Sequence, residues 1–169
     1  MKFKKIICWP PLLGGVGAGV TISILAYITF QSTLAGTNYG LWLAASFGSS
    51  VVVVFGYPDN EFAQPKNVLL VHLLCTLVGI KFVIFFKISQ DRTIFFLAIG
   101  LAVGLSVMLM MELKITHPPA GGNTIVVMLT QDSFQFLIFP IMVGAITIII
   151  GGVIYNRFIL KKNYPLKWL

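Results

Sequence analysis

Hydrophobic residues along this chain fall into four long runs and two short runs, separated by polar or glycine-containing stretches. Each long run approaches the roughly 20 apolar residues that a helix needs to cross a bilayer. The long runs lie at 12–30, 68–86, 93–111 and 136–155, and the short runs at 41–55 and 124–129. The pattern predicts an all-α integral membrane protein with four full transmembrane helices and two short membrane segments, which either cross the bilayer or re-enter.

The order of these runs repeats along the chain. A long run, a short run with small residues, a polar turn and a second long run occur over about 12–86 and again over about 93–155. Paired short segments in corresponding halves point to the binding site in transporters. We therefore expect one transmembrane domain over 1–169, built from two pseudo-repeats and without a soluble regulatory domain.

The Lys and Arg residues indicate the orientation, because cytoplasmic segments carry an excess of both. With the N-terminus inside and re-entrant short segments, only Lys66 and Lys114 of the twelve lie outside. With crossing short segments, Lys81, Lys87 and Arg92 lie outside instead. Both arrangements place both termini in the cytoplasm, and the count leaves crossing and re-entry open. We expect the plasma (inner) membrane of a bacterium.

Composition supports the membrane assignment, since 57% of the residues are hydrophobic, 10% are charged and the mean hydropathy is +0.94. A net charge of +7 would also suit nucleic-acid binding, but the cations cluster at the termini and beside apolar runs. The expected surroundings are therefore the lipid bilayer, and no nucleic acid. Two histidines are too few for most metal sites, so we expect neither a metal nor a cofactor.

The polar stretch Thr-His-Pro-Pro-Ala-Gly-Gly-Asn at 116–123 interrupts the apolar pattern most clearly. Its prolines favour an extended chain, and the residues after them can open a helix. A helix N-terminus offers N–H groups and a partial positive charge, which suit a small anion. The residues expected to bind this anion are His117, Gly121, Gly122, Asn123 and Thr124, together with Ser46, Ser49 and Ser50 of the first short segment.

Further polar residues are candidates for a proton site or a gate, namely Glu112, Gln64, Asn67 and His72. An ordinary imidazole pKa of about 6.5 also makes His117 a candidate proton acceptor, so proton coupling is a hypothesis. The alternatives are structural. His117 would then bond a backbone carbonyl, Gln64 and Asn67 would brace a loop, and Glu112 would pair with Lys114 or His117.

Three motifs in this order resemble the HPP family of integral membrane proteins. They are His117-Pro-Pro-Ala-Gly, the small-residue segment 45–56, and Gln64-Pro-Lys-Asn followed by His72. The resemblance implies four membrane-spanning helices and, from plastid and cyanobacterial members, nitrite as the substrate. Gly122 departs from the alanine that often follows the family motif.

The sequence therefore favours a transporter or channel for a small inorganic anion, nitrite by resemblance, and not an enzyme. The alternatives are a membrane enzyme that uses His117 as acid or base with Glu112 nearby, and a structural or sensor subunit without transport of its own. Small-xxx-small pairs at Gly15/Gly19 and Gly100/Gly104 suit close helix packing, and we expect a homo-oligomer.

Overall fold

A computed structural model describes the backbone of residues 9–33, 40–86, 92–131 and 134–168, and the side chains of 11–31, 46–86, 94–131 and 134–168. The described residues are helical and contain no strand, which confirms the predicted all-α class. The helices are α1 Trp9–Thr33, α2 Gly40–Gly56, α3 Pro65–Phe86, α4 Arg92–Glu112, α5 Gly121–Thr130 and α6 Phe134–Ile159. Short 3₁₀ turns at Glu61–Ala63 and Pro118–Ala120 precede α3 and α5.

Within the described residues, four helices are long and apolar enough to cross a membrane, as predicted: α1, α3, α4 and α6. Large apolar side chains cover the outer surface of these helices; Phe85 is 83% exposed and Phe96 is 66% exposed. An apolar exterior of this kind suits contact with lipid chains. The two short runs form α2 and α5, so each predicted membrane segment exists as a helix.

Contacts between helices give the directions of the two short helices within the bundle. The Tyr155 hydroxyl donates to the Leu13 carbonyl, and Gly14 lies against the Phe55 carbonyl. The start of α1 and the ends of α2 and α6 therefore meet at one end, which we call the terminal end. Because α1 runs away from this end, α2 runs back towards it.

The second short helix, α5, runs parallel to α3 and away from the terminal end. Asn123 contacts His72, and Val127 packs against Gly79 one to two turns further along both helices. The short helices thus run in the directions that the crossing arrangement predicts, with three elements in each half of the chain. At 10 residues, α5 is about 15 Å long, which is shorter than the hydrocarbon core of a bilayer. Structural equivalence of the two halves stays a prediction.

The last span contains a break that the hydropathy pattern did not predict. The helix begins two residues earlier and ends four residues later than the predicted 136–155. Phe139 has non-helical angles (φ −129°, ψ 119°) immediately before Pro140. Proline lacks the N–H that a helix interior needs and clashes with the preceding turn, which accounts for the kink.

Glycines let α6 approach α2 closely in the core. Gly144 lies against the ring of Phe47, and Gly152 lies against Val54. The Phe47 ring in turn stacks on the imidazole of His72, with ring centroids 4.7 Å apart. The Phe47 ring therefore lies between α6 and His72, so the packing of α6 affects the position of this polar side chain of α3.

Candidate functional site

Four buried polar side chains meet on the terminal-end side of the bundle. Ser50 comes from α2, His72 from α3, His117 from the segment before α5, and Asn123 from α5; each is at most 1% exposed. We call these four side chains the buried cluster. Polar side chains inside a membrane domain are costly unless they are paired or bind something.

Ser50 is the centre of the buried cluster. Its Oγ lies 3.0 Å from Nε2 of His72 and 2.9 Å from Nε2 of His117. The hydroxyl is also 3.0 Å from the Ser46 carbonyl, one helical turn earlier. One serine therefore joins two imidazoles that come from separate parts of the chain.

His117 is held in place from both sides of its ring. Its backbone is extended (φ −145°, ψ 89°), as expected for a residue before proline. Nδ1 donates to the Phe62 carbonyl over 2.7 Å, and Nε2 faces Ser50. The expected structural role, a bond to a backbone carbonyl, is thus present together with a contact to the other cluster residues.

Burial lowers the pKa of His117 to about 4, although its hydrogen bond to the Phe62 carbonyl raises the pKa in part. His117 lies in the connection between α4 and α5, outside the four spans. Because its pKa is lowered, the His117 ring is neutral at pH 7. Because Nδ1 carries the proton that is donated to Phe62, Nε2 of the neutral ring is an acceptor.

The start of α5 differs in detail from an open helix N-terminus. The chain is already helical at Pro118, and the Gly121 N–H bonds to the Pro118 and Pro119 carbonyls. The Ala120 N–H bonds to the His117 carbonyl over 3.1 Å. Two donors of the first turn are thus used locally, and Gly121 and Gly122 are half-buried.

Asn123 and Thr124 act through their side chains. Asn123 Nδ2 donates to Nδ1 of His72 over 2.8 Å. Thr124 Oγ1 donates to the Cys75 carbonyl over 3.0 Å and lies 2.8 Å from Ser106 Oγ. The threonine thereby joins α3, α4 and α5 directly beside the buried cluster.

The structure does not bring every predicted site residue into this cluster. Ser46 is buried and contributes its carbonyl, whereas the side chains of Ser49 and Glu112 are exposed. Both ring nitrogens of His117 face other groups, so His117 does not bond Glu112. Glu112 as a partner of His117 is therefore wrong.

Gln64 and Asn67 brace the turn before α3. The Gln64 amide donates to the Pro58 and Asn60 carbonyls, both over 2.9 Å, and the Asn67 amide donates to the Glu61 carbonyl over 2.9 Å. The side-chain oxygen of Gln64, Oε1, accepts from the Leu166 N–H over 2.7 Å. These bonds fix the turn that carries the Phe62 carbonyl.

The residues after α6 also hold this turn. Tyr164 is buried and its hydroxyl donates to the Ala63 carbonyl over 2.8 Å. We expect Tyr164→Phe to lower the free energy of unfolding by about 1 kcal/mol, because a buried carbonyl loses its donor. Thermal unfolding of the purified protein in detergent measures this change. Tyr57→Phe is the matched control because Tyr57 is 66% exposed; equal melting temperatures for the two variants would contradict this role.

An open cavity of about 390 Å³ lies near the buried cluster. Its lining residues are Glu61, Asn67, Met111, Lys114 and Thr116. Thr116 directly precedes His117, so this cavity, which we call the mouth, reaches the chain beside the cluster. The mouth combines one cationic and one anionic side chain.

Sequence reasoning missed three groups of the site. Ser106 and Thr76 are fully buried, and Thr76 Oγ1 donates to the His72 carbonyl over 2.7 Å. The third is the Phe62 carbonyl. In the part of the chain with described side chains, no group of three or more His, Cys, Asp or Glu residues is placed to hold a metal ion.

Comparisons with known proteins identify relatives along most of the chain. The family model described as "HPP, transmembrane region" matches residues 6–165. Two transmembrane proteins of Dictyostelium discoideum are similar, one 33% identical over 151 residues and the other 28% identical over 155 residues. These alignments cover 87% and 88% of this chain but 52% and 48% of the relatives, so the chain spans about half their length.

No solved structure matches the chain. The family match covers nearly all of the described helices and includes the His-Pro-Pro motif that places His117 in the buried cluster. The chain belongs to the HPP family of integral membrane proteins.

Proposed function

We propose that this protein carries a small inorganic anion across the membrane, and that the anion is nitrite, as the family resemblance implies. The buried cluster carries the proposal, since it places four polar side chains inside a bundle whose exterior is apolar. Ionisable and polar groups in such a position typically mark substrate or ion pathways. The family match supports an integral membrane protein.

The chemistry of the cluster suits an anion better than a cation. The Asn123 amide, the Ser50 hydroxyl and the N–H groups of His72 and His117 are donors. Neutral donors stabilise an anion without the cost of a permanent buried charge. Nitrite, with two oxygens and a lone pair on nitrogen, can accept several such hydrogen bonds at once.

Entry of an anion requires the cluster to open. The polar groups of the cluster now bond one another. Towards the end of the bundle opposite the terminal end, a packed apolar layer is formed by the side chains of Val78, Ala98, Ala102 and Met128. The mouth, in contrast, is open beside Thr116. We propose that the ion enters from the mouth and that separation of α2 and α5 exposes the donors to it.

Lys114 in the mouth should raise the local anion concentration. We expect Lys114→Gln to lower the initial rate of nitrite uptake roughly threefold at low ionic strength, and less at high salt, because salt screens an exposed charge. Lys167→Gln removes an equal charge from the exposed C-terminal segment outside the mouth and serves as the control. Equal uptake rates for both variants at low salt would contradict steering by Lys114.

The test of the function is nitrite flux into liposomes that contain the purified full chain. We expect uptake above that of protein-free liposomes, with the nitrite recovered chemically unchanged. Uptake equal to that of protein-free liposomes would refute transport. Conversion of nitrite would instead support the enzyme alternative, which the observed partners of His117 do not favour.

The proposal extends to the orientation of the chain in the membrane and to its oligomeric state. We propose that both termini face the cytoplasm of a bacterial plasma membrane; the Lys and Arg count supports the cytoplasmic side. We also propose a homo-oligomer. In support of this, a Cβ added at Gly15, Gly19, Gly100 or Gly104 would meet nothing within 4 Å, so these faces are open to a second copy.

A further inference from the structure

The hydrogen bonds of the buried cluster form a chain with one direction. Carbonyl oxygens only accept, so Nδ1 of His117 is the donor to Phe62, and Nε2 of the neutral ring is an acceptor. Amide nitrogens only donate, so Nδ1 of His72 accepts from Asn123, and Nε2 of that neutral ring carries the proton. The two histidines are therefore opposite tautomers.

Ser50 completes the chain between the two rings. Nε2–H of His72 donates to Ser50 Oγ over 3.0 Å, and the Ser50 hydroxyl donates to Nε2 of His117 over 2.9 Å. Each link thus pairs one proton with one lone pair. The rings themselves are close, with centroids 5.3 Å apart.

From this arrangement we propose that His72, Ser50 and His117 form a proton relay that couples proton movement to anion transport. The inference rests on the proposed transport function. An anion inside the bundle is stabilised by an imidazolium next to it, because the pair has no net charge. Movement of one proton with one nitrite would then be electrically neutral.

The relay step balances without any further reactant. A proton binds Nδ1 of His72 once the Asn123 amide has turned away, and the ring becomes an imidazolium. The Nε2–H bond of His72 breaks as its proton passes to Ser50 Oγ, while the Ser50 O–H bond breaks as that proton passes to Nε2 of His117. His72 is then neutral, Ser50 is again a hydroxyl, and His117 is the imidazolium until Nδ1 releases its proton towards the mouth.

Ser46 provides a position in which the relay can reset. Its carbonyl lies 3.0 Å from Ser50 Oγ and is a third acceptor for the same hydroxyl proton. After a passage the neutral His72 carries its proton on Nδ1 and the neutral His117 carries its proton on Nε2. The reset therefore requires each ring to move its proton back to the other nitrogen, with no net gain or loss of protons. While both rings present N–H groups to Ser50, the hydroxyl can turn to the Ser46 carbonyl.

Few other titratable groups approach the relay within the described side chains. Besides His72, α3 carries the half-buried Lys66, the buried Cys75 and the exposed Lys81, and α4 carries the exposed Glu112. The mouth contributes Glu61 and Lys114. Residues 46–56 of α2 and all of α5 carry no titratable side chain. Among the described titratable side chains, the two imidazoles are the ones that hydrogen-bond to Ser50.

The tautomers can be measured directly because the chain has only two histidines. The full chain, labelled with ¹⁵N-histidine in lipid nanodiscs near neutral pH, should show one ring protonated at Nδ1 and one at Nε2. His117→Asn should leave only the Nε2–H signals, which assigns them to His72. Two rings in the same tautomer, or the reverse assignment, would overturn the relay.

Coupling is measured by nitrite flux in liposomes under an imposed pH difference or an imposed voltage. Wild-type flux should follow the pH difference and should not respond to voltage. If one proton moves with each anion, nitrite should accumulate about tenfold for each unit of pH difference. The remaining flux of Ser50→Ala should respond to voltage and not to pH, and Ser50→Thr should restore the wild-type response. Wild-type flux that follows voltage alone would overturn the coupling.

A failure of the proposed anion transport can be distinguished from a failure of the proton relay. Absence of nitrite flux in the wild type, with opposite tautomers and proton entry detected by a trapped pH dye, would refute anion transport and leave the relay. Absence of both nitrite flux and proton entry would refute both.

Discussion

His117→Ala is expected to reduce nitrite flux about a hundredfold. The substitution removes the donor to the Phe62 carbonyl and the imidazole that faces the Ser50 hydroxyl, which keeps only Ser46 and His72 as partners. Loss of buried partners costs about 1–3 kcal/mol each, and about 3 kcal/mol in the rate-limiting state corresponds to roughly a hundredfold in rate. Initial uptake rates in liposomes, at equal amounts of reconstituted protein, measure the effect.

His117→Asn separates the structural role of the ring from its part in transport. An asparagine amide can donate to the Phe62 carbonyl from nearly the position of Nδ1, but it cannot reach Ser50 in the place of Nε2. We therefore expect His117→Asn to melt close to the wild type and still to transport poorly. Wild-type flux in either variant would remove His117 from the transport site.

Gly144→Ala is expected to lower the free energy of unfolding by about 1–3 kcal/mol, the usual cost of overpacking a core. The added methyl group would overlap the Phe47 ring, which stacks on His72. The ring can move only by disturbing that stack, so we also expect slower nitrite uptake. Thermal unfolding in detergent and flux in liposomes measure the two effects.

Gly48→Ala is the control for this substitution. Gly48 also lies in a membrane helix, beside Phe47 in α2, but an added Cβ there meets nothing within 4 Å. Alanine favours a helix over glycine by about 1 kcal/mol, so this variant should be as stable as the wild type or more so. Equal melting temperatures for Gly144→Ala and Gly48→Ala would contradict the proposed packing of α6 on Phe47.

The membrane helices could be predicted well from the sequence, because a long run of apolar residues with few charges is typical of a membrane span. The choice between crossing and re-entrant short segments could not be predicted, since the Lys and Arg counts are similar for both. That choice depends on contacts between distant residues, such as Tyr155 with Leu13. The kink in α6 had a signal at Pro140 that hydropathy alone does not register.

Sequence reasoning named all four residues of the buried cluster, but not their arrangement. Ser50 and Ser49 are equivalent in a pattern of small residues, yet neighbours on a helix point in different directions, and of these two Ser50 is the buried one. Ser106 and Thr76 looked like ordinary polar residues in apolar helices. The Phe62 carbonyl has no signature at all, because every residue carries a backbone carbonyl.

If the anion passes through the buried cluster, two adjacent serines of α2 should differ sharply in their effect on transport. Ser50→Ala and Ser49→Ala remove the same atom from neighbouring residues of α2, one inside the cluster and one on the exposed surface. Nitrite uptake by liposomes containing each variant should fall at least about tenfold for Ser50→Ala, the equivalent of one lost buried hydrogen bond to the ion, and stay at the wild-type rate for Ser49→Ala. Equal uptake by the two variants would contradict a transport path through the cluster.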